Sequence, residues 1–186
     1  LKMLPLDNKS EFQVMVDLPE GAPIETTQRL LTELAQSLQQ VAEVSDMQLY
    51  AGTSAPINFN GLVRHYYLRD KPEYADVQLN LLPKHERDRE SHTVALEVRE
   101  LLQSIDLPAG SSLKVVEVPP GPPVMATLLA EIYGPDAETR RAVAARVEEA
   151  FRSANFIVDI DNSWGQPAER VRVKISTDDL EFFKVQ

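Results

Sequence analysis

An α+β fold is predicted for this chain, with helices on one face of an antiparallel sheet, followed by a second, shorter version of the same pattern. Three observations lead there. Apolar and polar residues alternate over Phe12–Leu18 and again over Asp76–Leu82, the period of strands with one face on a core. Leucines recur at helical spacing between the strands. Finally, Gly21, Glu25, Thr26, Leu30, Leu34 and Leu38 map at a constant offset of 113 onto Gly134, Glu138, Thr139, Val143, Val147 and Phe151.

In the first strand Phe12, Val14, Val16 and Leu18 are expected to face the helices, leaving Gln13, Met15 and Asp17 on the open face. Pro19, Gly21 and Pro23 break the chain, and Leu30, Leu31, Leu34, Leu38 and Val41 mark a helix with Pro23 near its start, where a missing N–H costs little. Val44–Tyr50 is the second predicted strand and Asp76–Leu82 the third. Ser91–Ile105 forms a helix with Val94, Val98, Leu101 and Ile105 on one stripe; Leu107–Gly110 ends it, and Leu113–Val118 is the fourth strand. Strand, helix, strand, strand, helix, strand is the split βαβ order of a ferredoxin-like sandwich.

The run Pro119-Pro120-Gly121-Pro122-Pro123 places four prolines in five residues, which neither strand nor helix tolerates, so subdomains are predicted at 1–120 and 121–186. The second would contain a strand at Val124–Tyr133, a helix at Ala137–Ala154 capped by Asp136, and strands at Phe156–Asp161 and Arg170–Ile175. A capping box at Ser176–Asp179 would open a last helix carrying Leu180, Phe182 and Phe183. Alternation buries Ala126, Leu128, Ala130 and Ile132 and leaves Thr127, Leu129 and Glu131 open. This unit lacks a final strand, and an unpaired edge is costly to leave open, so a strand supplied from outside the chain is expected.

Composition narrows the function. Nineteen Lys+Arg against 29 Asp+Glu give a net charge of -10, which works against nucleic acid and anionic membranes, since phosphate binding needs clustered cations. With no Cys, disulfides, zinc-thiolate sites and thiol nucleophiles are excluded. The longest uncharged run, Met47–Val63, is broken by Gly52, Pro56 and Gly61 and cannot span a bilayer. His85 and His92 stand seven apart, not four as in a zinc-binding helix, and no phosphate-binding glycine loop or nucleophile elbow occurs. An acylphosphatase-type enzyme would share the fold, yet it needs a Gly-rich anion loop with an Arg after the first strand. Here that turn reads Pro19-Glu20-Gly21-Ala22-Pro23. No cofactor is expected. Met3, Met15, Met47 and Met125 are scattered gap fillers rather than a soft-metal site.

The loop Ala51–Ala75 carries the strongest functional signal. Some 25 residues long, it includes Asn58, Phe59, Leu62, Tyr66 and Tyr67, apolar and aromatic side chains costly to leave in water. It is read as the cover of a pocket or a partner, against the alternative of a mobile solvated loop. If the two first strands turn their open rows toward one another, they line an amphiphilic slot.

At these residues a resemblance emerges. Leu4-Pro5, Asp7, then Phe12-Gln13-Val14-Met15-Val16-Asp17-Leu18-Pro19-Glu20-Gly21 with Glu25-Thr26-Thr27 resembles the start of the second large periplasmic loop of resistance-nodulation-division (RND) multidrug efflux permeases, the acriflavine resistance family. It continues through Val77–Pro83, the Pro-rich link and Ile132-Tyr133-Gly134-Pro135-Asp136, and fades after Asp179. The resemblance implies two ferredoxin-like porter subdomains, the second interrupted by a docking domain, with no catalysis of their own. It implies a periplasmic location at the inner membrane, attached through helices outside this chain, and a homotrimer working with a periplasmic adaptor and an outer-membrane channel. Ala51–Ala75 resembles that family's switch loop, so Asn58, Phe59 and Leu62 would touch substrate. By position Gln13, Asp17, Thr127, Leu129, Glu131 and Asp161 match residues lining its entrance cleft. Drug pumps carry aromatics where Thr127 and Leu129 stand and a basic residue at Asp161. The expected substrates are therefore small amphiphiles, with Asp17, Glu131 and Asp161 favouring cationic ones. A free-standing acylphosphatase-type enzyme and an oligomerisation module are the alternatives.

Overall fold

The computed structural model describes residues 7–118, 125–164 and 171–184. Six elements follow the predicted order closely: β1 (Glu11–Asp17), α1 (Ile24–Leu38), β2 (Val44–Ala51), β3 (Tyr74–Leu81), α3 (Ser91–Leu102) and β4 (Ser112–Val116), with a short α2 (Phe59–Val63) inside the long loop. The sheet order is β2-β3-β1-β4 and each neighbouring pair is antiparallel, as a ferredoxin-like sandwich requires.

Side-chain parity explains why one face of this sheet became the core. Phe12, Val14 and Val16 pair with Leu79, Val77 and Ala75 of β3, all on the same face. Against them lie Leu30, Leu31, Leu34 and Leu38 of α1 and Val94, Ala95, Val98 and Leu102 of α3, all buried. Both helices owe their position to this apolar stripe. Thr27, fully buried at the start of α1, donates its hydroxyl to Pro72 O at 2.6 Å and ties the helix to the end of the long loop.

The opposite face departs from the expectation of an open row. Gln13 and Met15 are buried at 6% and 2% exposure. The helices do not cover them; the long loop folds back across this face, and the Ala55 N–H donates to Asp76 Oδ2 at 3.0 Å.

The second half follows its expectations only in part. α4 (Ala137–Arg152) and α5 (Thr177–Phe183) form, and both predicted caps are made: Asp136 accepts from Thr139 N at 2.7 Å, and Ser176 from Asp179 N at 3.3 Å. The strands expected over Val124–Tyr133, Phe156–Asp161 and Arg170–Ile175 are not paired into a sheet among the described residues. Neither face of the last is buried, with Val171, Val173 and Ile175 at 94%, 77% and 66% exposure. A helix closes its hydrogen bonds within its own segment, whereas a strand needs a partner to do so. The boundary predicted at Pro119–Pro123 lies outside the described residues.

Candidate functional site

On the face of the sheet turned away from the helices, register brings together residues far apart in sequence. Met15 of β1 lies between Asp76 of β3 and Lys114 of β4, and Asp17 lies between Tyr74 and Ser112. This row is mainly polar, and the loop from β2 supplies its counter-charge.

Arg69 is the centre of that arrangement. Its side chain is only 11% exposed. Nε donates to Asp76 Oδ1 at 2.9 Å, Nη1 bonds Asp17 Oδ1, and Nη2 donates to Val16 O at 3.0 Å and Ala75 O at 3.3 Å. The guanidinium also sits over the Tyr74 ring, 4.6 Å from its centroid. One planar group thus satisfies two carboxylates and two carbonyls, which an ammonium could not do with the same geometry.

Lys114 bridges Asp17 Oδ2, at 3.2 Å, and Asp161 of the second half. Burial alone would push the Asp17 carboxyl up, but the charges and hydrogen bonds of Lys114 and Arg69 outweigh that and hold it below the usual carboxylate range. Burial likewise works to lower Lys114, and Asp17 and Asp161 more than reverse it, so its ammonium is held above the usual lysine value. A depressed carboxyl contributes stability that is complete above its unfolded value, about 3.9, and is lost as pH falls through the folded one. The urea midpoint should therefore fall on acidification from pH 4 toward pH 2, more steeply in the native chain than in Asp17→Asn. Superimposable profiles would remove Asp17 from the account.

Beside this network opens a cavity of about 430 Å³, bordered by Asp17, Leu18 and Glu20 after β1, by Leu68, Arg69, Lys71, Glu73 and Tyr74 of the loop and β3, by Gly110, and by 161–164. Arg140 and Arg141 of α4 lie 5.9 and 4.8 Å from the Trp164 ring centroid, flanking the far wall. Arg99 of α3 bonds Asp159 at 2.8 Å and Val115 O at 3.0 Å, a second link between the halves.

Of the nine residues singled out from sequence, Asp17 and Asp161 border the cavity. Gln13 is buried on the same sheet face, deeper along β1. Asn58 accepts from Gly61 N at 2.7 Å and shapes the turn of α2, which Phe59 begins; Leu62 is 49% exposed on it. Thr127 and Leu129 are exposed, and Glu131 accepts from the Tyr133 hydroxyl at 2.6 Å. Sequence reasoning missed Arg69, Lys114 and Glu73. Lys114 carried a signal: in a ferredoxin-like order its place in the fourth strand puts it beside Met15 on the face away from the helices.

Met15 and Met47 lie on opposite faces of the sheet, because Met47 pairs with Leu79 and Leu79 with Phe12 on the core side. They cannot share a metal ion. Among the described residues no group of three or more His, Asp or Glu is arranged to hold one.

Among solved structures, a heavy metal efflux pump shares this fold over 96% of the chain, with a TM-score of 0.67 and 16% identity. A second crystal form of a heavy metal efflux pump matches over 81%, with a TM-score of 0.59 and 15% identity. No protein-family model and no curated protein matches the chain. The chain spans 18% and 15% of the lengths of those two pump chains, and at these identities the likeness establishes a common fold.

Proposed function

We propose that this chain is the substrate-binding porter portion of an RND-type efflux transporter that moves small amphiphilic compounds. The cavity carries the reading: it lies on the sheet face that the helices leave free, under a long loop anchored by Arg69, and its wall mixes Leu18, Leu68, Tyr74 and Trp164 with charged groups. A mainly polar and charged wall that also holds four apolar or aromatic side chains can meet both ends of an amphiphile. Four acids border it, Asp17, Glu20, Glu73 and Asp161, against Arg69 and Lys71 on the wall and Lys114 paired with two of those acids, so 3 minus 4 leaves a net charge of -1. That balance favours cationic amphiphiles. The matching folds belong to pumps described as heavy metal efflux pumps, but Met15 and Met47 lie on opposite faces and no His, Asp or Glu cluster suited to a metal occurs among the described residues, which favours an organic substrate here.

On this reading the whole protein is a homotrimer on the periplasmic side of the bacterial inner membrane, held by helices outside this chain and working with an adaptor and an outer-membrane channel. No helix among the described residues is long and apolar enough to cross a membrane. Binding by the chain tests the proposal: Nile red and rhodamine 6G should each bind saturably by fluorescence polarisation, while silver ion should show no stoichiometric site by calorimetry. A one-to-one silver site without dye binding reverses the assignment.

A further inference from the structure

We propose that Glu73 is the residue that selects a positively charged substrate group in this cavity, and that the Lys71 ammonium occupies its place until the substrate displaces it. The inference rests on the porter reading above and adds the chemistry of the group recognised, an ammonium or amidinium attached to an apolar body.

Glu73 differs from the other acids of the wall in what its carboxylate meets. Asp17 is taken up by Arg69 and Lys114, Asp161 by Lys114, and Glu20 has an interaction of its own. The Glu73 side chain is only 6% exposed and borders the cavity, yet its ionic neighbour among the described residues, Lys71 Nζ, stands at 3.9 Å, beyond hydrogen-bond reach. Its backbone is fixed, since Glu73 O accepts from Leu18 N at 3.0 Å and Tyr74 follows directly as the first residue of β3. A carboxylate so withdrawn from water gains from any cation that can approach it closely.

Lys71 shows where that cation would sit. Its ammonium lies 3.9 Å from Glu73 and 5.9 Å from the centroid of the Tyr74 ring, contacting both groups loosely. The Lys71 side chain is 52% exposed, so a ligand that displaces it returns it to water at little cost. The incoming cation would face the carboxylate and the ring, and its apolar body the wall of Leu18, Leu68 and Trp164. Arg69 remains in place, held by four acceptors, so the loop need not open.

The two partners should respond in opposite directions. In Glu73→Gln the affinity for rhodamine 6G, a cation, should drop about tenfold, while that for the neutral Nile red stays within about twofold. In Lys71→Gln the affinity for rhodamine 6G should rise about threefold because the internal competitor is gone. Nile red binding also reports whether each variant has kept its fold. Parallel losses for both dyes in Glu73→Gln, or no change in either, overturn the selection role; a loss of rhodamine 6G affinity in Lys71→Gln overturns the displacement. If the native chain binds neither dye, the porter reading fails and the inference with it, an outcome distinct from binding that is blind to charge.

Discussion

Replacing Arg69 by Ala should destabilise the chain by about 3–5 kcal/mol, the range for breaking a buried ion pair by removing one partner. The reason lies in what stays behind. The Asp76 side chain is 2% exposed, and without the guanidinium the Ala55 N–H is the one donor left to it among the described residues. Val16 O and Ala75 O lose a donor as well. Arg69→Lys should restore only part of this loss, because a single ammonium cannot span the same acceptors. The urea midpoint measures the first effect, and hydrogen exchange at the Ala55 amide should quicken as the loop lifts from the sheet. A loss below about 1 kcal/mol would place Arg69 with ordinary surface pairs and leave the loop without its anchor.

Phe12→Ala should cost a similar amount, about 3–5 kcal/mol, by a different route. Phe12 is 2% exposed and belongs to the cluster that joins β1 and β3 to both helices. Its partner across the sheet is Leu79, which in turn pairs with Met47, so truncation opens a cavity in a row crossing three strands. The stripe of α4 offers the contrast. Val143, 37% exposed, should lose less than about 0.5 kcal/mol on truncation to Ala. Equal losses at the two positions would mean that the second half has a core of its own, contrary to its exposed apolar residues. Urea unfolding at constant slope separates these cases from changes in the unfolded state.

Much of the site was legible as a location and little of it as a set of contacts. The length and aromatic content of Ala51–Ala75 marked the cover, and alternation put Asp17 on the face beneath it. Alternation says which face a residue takes but not what will lie on that face, so Gln13 and Met15 read as open although both are buried. Arg69 stood in the run Arg64–Arg69 as one cation among aromatics. Its role depends on Asp17 and Asp76, which come into reach only when β1 pairs with β3. For the same reason Glu73 looked like any loop acid; its burial and distant partner are consequences of packing.

The sequence by itself determined α1, α3, α4 and α5 and the first sheet. α4 and α5 appear where Asp136 and Ser176 cap them even though no residue of either is buried, because capping and helical hydrogen bonds act within a few residues. β1 to β4 appear because their alternation is matched by two helices that bury the apolar face. Only the tertiary structure decided which predicted strands would pair. The pattern over Arg170–Ile175 is as regular as that of β1, yet Val171, Val173 and Ile175 remain in solvent. A strand's hydrogen bonds are made to another segment, and the presence of that segment is not encoded in the strand's own periodicity.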